Sequence, residues 1–365
     1  MRRFNLHIQL CGGRRGQVTA LALLIALSIY GKTREIGKSM PIRQITIRNI
    51  VYGADGRIFA VPNYVTAGSV ALFWVTEQGD IAPVPQRLSV KNFVRSSGLF
   101  FLQKNHENEP PMAFISLPEL LSGYAVDFSG SGRTLVVAGG NAVNVYDGNN
   151  KWEKIKSLTI GQSVTRAVLS RDGTLLAIIS DGKLFLFSTP GYTHITTIEP
   201  AGNCRFSDAA FSNDNSRLAV FEYRSTMFDY GSRIRIYRST DGMFDRNLPF
   251  FPTRPSSEPG EHLPLVSWAP GDTALAATIP TAFTGKVYLI KSNDGGTIKE
   301  FKGFCHAFST DGTMFAAQGT VFSTIDWSVL GSIPRSAVTC TFSPTERAII
   351  VVTRDSIRRY RIEEK

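Results

Sequence analysis

Side chains able to carry catalysis are few and scattered in this 365-residue chain. The five histidines, His7, His106, His194, His262 and His306, fall in no HExxH spacing, and neither a GxSxG elbow nor a GxxxxGK[ST] loop occurs. Cys305 and His306 adjoin, but neighbours on a strand point to opposite faces, so they read as structural residues rather than as nucleophile and base. Cys11, Cys204, Cys305 and Cys340 show no CxxC spacing and suggest neither a zinc site nor a disulfide framework. Gly139-Gly140 and Gly295-Gly296 open no helix, which leaves no phosphate cradle. No catalytic residue, metal or cofactor is expected.

A different chemistry gathers in two stretches, Glu222–Ser232 (EYRSTMFDYGS) and Phe244–Pro264 (FDRNLPFFPTRPSSEPGEHLP). Aromatic, Met and Arg side chains are the types enriched where proteins bind one another. Tyr223, Arg224, Met227, Phe228, Tyr230, Phe250, Phe251 and Arg254 are therefore the candidate partner-binding residues. A structural reading stays open beside this one, in which Phe250 and Phe251 only tuck a loop onto its scaffold.

The scaffold that must position them is a repeat. A hydrophobic residue, small or polar residues and an Asp/Ser/Gly turn recur at Tyr52–Gly56, Val94–Gly98, Phe128–Gly132, Leu169–Gly173, Phe211–Asn215, Trp268–Asp272, Phe308–Gly312 and Phe342–Glu346. Their starts lie 42, 34, 41, 42, 57, 40 and 34 residues apart, mostly near the 40–45 of four-stranded propeller blades. In each copy one strand ends at the hydrophobic residue, Asp-Gly or its equivalent turns the chain, and further strands come next, such as Leu175–Ile179, Lys183–Phe187 and Tyr192–Ile198. No 3.6-residue period is sustained after residue 40. The fold class is all-β: a single β-propeller of eight four-stranded blades, or seven if the copy around residues 92–120 is a connection. The last copy ends after its third strand, so Arg43–Arg48 is expected to supply the fourth, closing the ring by pairing the two ends of the chain.

These FSxDG-type turns, spread over residues 43–365, resemble the WD40-like β-propeller superfamily. The likeness has gaps: no Gly-His dipeptide precedes the blades and no Trp-Asp ends a third strand, Tyr146-Asp147 and Ile325-Asp326 being the nearest echoes. A quinoprotein-type ring would repeat a tryptophan in most blades, whereas Trp74, Trp152, Trp268 and Trp327 occupy non-equivalent positions. In a propeller, connections from second to third strand and from one blade to the next emerge on the same face. The two aromatic stretches occupy those two connections within the 57-residue interval. The expected function is a non-catalytic scaffold binding a protein or peptide partner through that face. The alternative is an exported propeller with ligand-binding or hydrolytic activity at its central channel.

The net charge of +10 would suggest nucleic acid, but Arg2, Arg3, Arg14, Arg15, Lys32, Arg34, Lys38 and Arg43 against Glu35 place +7 of it in residues 1–43. A nearly neutral body makes a nucleic-acid partner unexpected. Residues 18–30 form an uncharged apolar run, too short for the roughly 20 residues of a membrane span but suited to a signal core, with Ala26-Leu27-Ser28 as a cut site. Residues 1–40 are read as a basic, hydrophobic targeting or anchor segment, residues 41–365 as the propeller, and the protein as exported or N-terminally membrane-anchored. The membrane would be touched only through residues 18–30. An organelle transit peptide, or translation from Met40 giving a cytoplasmic protein, are the other readings.

Overall fold

The Phe-Ser-x-Asp-Gly copies form strands joined by a turn whose hydrogen bonds are built into the motif. In the copy at Leu169–Gly173, Ser170 is fully buried; its hydroxyl donates to Asp172 at 2.6 Å and accepts the Leu175 N–H at 2.8 Å. Ser212 with Asp214 and Ser309 with Asp311 repeat this pairing, each at 2.6 Å. The buried hydroxyl thus occupies backbone groups that a tight turn would otherwise strand. Gly173 and Gly312 hold φ of 73° and 72°, a conformation costly for side chains with a Cβ, and Asn215 takes the equivalent place at 60°.

The computed structural model describes residues 125–363 except 151–152, 162, 226–229, 252–264, 281–284, 304, 318 and 354. Before them it describes 33–41, 50–52, 58–62, 69–75, 81–83 and 114–116. Among the described residues the strands assemble into seven antiparallel sheets, six four-stranded and one five-stranded, and in five of them successive strands lie side by side throughout. Numbered in chain order as blades, the second spans 125–159, the third 164–198, the fourth 205–251, the fifth 265–302 and the sixth 306–332. The innermost strand of each blade packs beside that of the next, and Val51–Tyr52 of the first lies beside Thr339–Phe342 of the seventh.

Second strands read as unbroken apolar runs because both faces are covered by neighbouring blades. Leu175–Ser180 and Ala348–Val352 are buried at every position. Outer strands face solvent along one edge and carry the charges, as Glu153–Thr159 and Thr297–Lys302 do.

Two expectations about the ring change. The copy at Val94–Gly98 lies outside the described residues, while Phe114–Ser116 pairs with Ser69–Ala71 and Ile81–Pro83 pairs with Phe73–Val75, along the same edge of one strand. Both segments thus belong to one sheet, and residues 84–113 between them lie outside the described residues. The described residues give seven sheets where eight blades were favoured.

The ends of the chain do pair, but the partner of Ser356–Ile362 is Thr33–Pro41, with Thr33 opposite Ile362 and Pro41 opposite Ser356. Residues 43–48 lie outside the described residues. Thr33 also donates its hydroxyl to Ser332 O of the sixth blade, and Glu35 meets Arg358 at 3.6 Å. The ring thus begins inside the segment 1–40. Residues 18–30 lie outside the described residues, and no described helix is long and apolar enough to cross a membrane.

Candidate functional site

The fourth blade is built from longer strands than its neighbours. Arg217–Ser225 and Tyr230–Arg238 run nine residues each and Phe244–Phe251 eight, against six for every strand of the third blade. The extra length begins where the side chains stop being apolar. On the face towards the third blade, Leu218, Val220 and Tyr237 belong to a shared buried cluster with Val168, Ile179 and Leu186. Strand alternation continues that face into Glu222 and Arg224 on one strand and Arg235 and Arg233 on the other.

The third blade has no strand long enough to cover these charges; the connection through Ala201–Cys204 covers them instead. The Glu222 side chain is wholly buried. It accepts the Ala201 N–H at 2.8 Å, pairs with Arg233 through Nε, and meets Arg235 Nη1 at 3.3 Å. Arg235 is further held over the rings of Tyr237 and Phe244, at 5.3 and 5.0 Å from their centroids. Burial, foremost, pushes the Tyr237 hydroxyl up to about 12. A cleft of about 290 Å³ opens between the connection and the hairpin, lined by Cys204, Glu222, Arg224, Ser232, Arg233 and the glycines 202 and 231. Burial and, next, the Glu222 carboxylate raise the Cys204 thiol above its ordinary value.

The sequence candidates divide around this cleft. Arg224 lines it, opposite Gly231 in register. Tyr223, its neighbour, turns to the other face and packs against the cluster holding Trp268, Phe221 and Ile279 between the fourth and fifth blades. Tyr230 ends the hairpin opposite Ser225. Phe250 and Phe251 stand not in a loop but in the outer strand, opposite Arg233 and Ser232. Met227, Phe228 and Arg254 lie outside the described residues. Sequence reasoning passed over Glu222, Arg233, Arg235 and Cys204. The alternation of Arg233 and Arg235 was visible, but only the hairpin register places both beside Glu222.

Two other polar clusters occupy innermost strands. Asp127, Arg166 and Asp208 come from the second, third and fourth blades. Arg166 pairs with Asp208 at 2.7 Å, while Asp127 accepts the Leu169 N–H and Asp208 the Val266 N–H, each from the next blade. Burial, against the pull of Arg166, raises Asp127 to about 6 and moves Asp208 up as well. These carboxylates stitch blades together.

His306 is half-buried, and both ring nitrogens meet hydroxyls of the fifth blade, Ser267 at 2.8 Å and Thr278 at 2.6 Å. Burial lowers its imidazole to about 4. Cys305 instead meets Cys340 of the seventh blade, Sγ to Sγ 3.9 Å, so adjacent Cys305 and His306 do serve opposite faces. Among the described residues no three His, Cys, Asp or Glu side chains are grouped to hold a metal.

No protein-family model matches the chain. No curated protein matches it either. Among solved structures it is similar to the β-propeller domain of Myceliophteria thermophila Cps50 (Swd1), with a TM-score of 0.60 over 90% of this chain and 99% of that one. Sequence identity is 10%, so the likeness concerns the fold alone, a β-propeller.

Proposed function

We propose that this propeller is a non-catalytic interaction module that holds a protein or peptide partner at the lengthened end of its fourth blade. The observation that carries this reading is the extension itself. Strands of nine, nine and eight residues rise beyond a third blade of six-residue strands and present a cleft with Arg224 and Arg233 in its wall. Rigid scaffolds with local elaborations commonly carry function on the elaboration. Propellers are commonly interaction scaffolds, which supports the class of partner.

A displayed peptide library selected on the full chain tests the proposal. Selected peptides should lose at least ten-fold in affinity on Arg224→Glu combined with Phe251→Ala. They should bind unchanged to Ile325→Asp, a substitution at a side chain 85% exposed on the sixth blade. Equal binding to both variants would place the partner elsewhere.

Residues 1–32 are proposed to precede the ring as an export or anchor segment. The pairing of Thr33–Pro41 supports this, because a cut after Ser28 spares that strand whereas a start at Met40 removes most of it.

A further inference from the structure

Cys305 and Cys340 stand 35 positions apart, and the ring brings their sulfurs into contact at 3.9 Å. No spacing in the chain announces this pair. Topology makes it, because Cys305 immediately precedes the innermost strand of the sixth blade and Cys340 stands in that of the seventh. Both side chains are buried in the apolar cluster between the two blades, with Met314, Ile333, Ala337 and Phe342. Packing alone does not ask for sulfur here. Cys340 lies two residues before the hydrophobic residue of its turn, a place where the second to fifth blades carry Val126, Ala167, Ala209 and Val266, all buried. Cys204, the third described cysteine, lies apart in the cleft of the fourth blade, and Cys11 lies outside the described residues.

We propose that Cys305 and Cys340 form a disulfide that locks the sixth blade to the seventh, made by exchange with a low-molecular-weight or protein disulfide. One cysteine thiolate attacks a sulfur of that oxidant, joins to it and expels one thiolate. The other cysteine's thiolate then attacks the joined protein sulfur, forming the Cys305–Cys340 bond and expelling the second. Each cysteine loses one proton and one electron, and the oxidant leaves as two thiols. Closing 3.9 Å to the roughly 2 Å of an S–S bond asks each sulfur to move by about 1 Å. The Cys305 sulfur, foremost, and burial hold the Cys340 thiol well above its ordinary value, so the folded pair exchanges slowly and the bond forms while the chain folds. The place is the seam of the ring. The seventh blade takes its outer strand, Thr33–Pro41, from the other end of the chain, and Thr33 reaches Ser332 of the sixth blade there. A bond beside the innermost strands fastens the same junction at its inner edge. The inference rests on the sulfur contact; the export reading above adds only an oxidising compartment to supply the oxidant.

The full chain, refolded from denaturant in a mixture of reduced and oxidised glutathione, provides the test by mass spectrometry. Free thiols are blocked with iodoacetamide under denaturing conditions before digestion. A peptide pair joined through Cys305 and Cys340 should be recovered, with Cys204 alkylated, and should vanish after dithiothreitol. The bonded chain should melt roughly 5 °C above the reduced one. Cys204→Ser should keep this difference, while Cys305→Ala and Cys340→Ala should abolish it. Comparing the bonded and reduced forms of Cys204→Ser keeps the test decisive where a buried variant does not fold. Recovery of Cys305 and Cys340 both alkylated, or bonded instead to Cys204 or Cys11, would overturn the proposal. Because glutathione supplies the oxidant, that result would leave the export and interface readings untouched. A joined pair with no gain in midpoint would overturn the lock.

Discussion

The fourth and sixth blades start from the same turn and end as different objects. Phe211–Asn215 and Phe308–Gly312 fold with the same serine–aspartate pairing, Ser212 on Asp214 and Ser309 on Asp311. Beyond the turn, the sixth blade uses strands of three and four residues and fills its flank with rings. Phe301 lies 5.3 Å from Phe315 and 5.1 Å from Phe322, and Lys299 sits 4.9 Å above Trp327. The fourth blade doubles the strand length and devotes the excess to a buried carboxylate, its arginines and a cleft. One repeat therefore specifies the blade, and the residues beyond the turn decide whether that blade only packs or also offers a surface.

Removing the closing strand should have the largest effect on both blades. A chain beginning at Met40 loses Thr33–Ser39, leaving an open edge on the seventh blade and uncovering its contact with the sixth. A fall in thermal midpoint on the order of 10 °C relative to a chain beginning at Ile29 is expected by scanning calorimetry. An unchanged midpoint would make that strand dispensable.

Phe315→Ala should cost about 3–5 kcal/mol in urea unfolding, because the ring is fully buried among Phe301, Phe308 and Trp327. Affinity for selected peptides should stay within two-fold while the chain is folded. Glu222→Gln should show the reverse balance. Its cost should be smaller, about 2 kcal/mol, since Arg233 and Arg235 retain some access to water, yet peptide affinity should change markedly as the arginines lose their anchor.

The remaining effects are pH-dependent and opposite in sign. The His306 imidazole sits near 4 in the fold against an ordinary 6.5, so between those values the unfolded chain binds a proton that the fold refuses, and acid destabilises. Asp127 sits near 6 against 3.8, so between those values the fold keeps a proton that the unfolded chain releases, and acid stabilises. In urea titrations the cost of His306→Gln should shrink on going from pH 6.5 to 4.5, and that of Asp127→Asn should grow. Each change should be on the order of 2–3 kcal/mol.

Much of the fold was legible because its signals are local. The serine, the aspartate and the glycine that make turns such as Leu169–Gly173 and Phe308–Gly312 lie within four consecutive residues, and strands such as Leu175–Ser180 and Lys183–Ser188 are read directly. Closure was harder to read. Thr33–Pro41 contains Arg34, Glu35, Gly37 and Lys38 and reads as a tail, yet an outer strand has one pairing edge and one free edge, so Arg34 and Glu35 stay exposed without penalty. Blade number was obscured because one sheet draws strands from distant residues, Ile81–Pro83 and Phe114–Ser116. At the candidate site, aromatic composition drew attention to the right hairpin but to mixed faces. Tyr223 packs inward, and the charges that shape the cleft depend on a cross-strand register that composition does not contain.

Hydrogen–deuterium exchange of the full chain with and without a selected peptide tests the central claim most directly. The account predicts new protection at 201–205, 222–225 and 230–233, with 306–332 of the sixth blade unchanged. Protection confined to the sixth blade, or to the Ser-x-Asp turns on the opposite face, would contradict it.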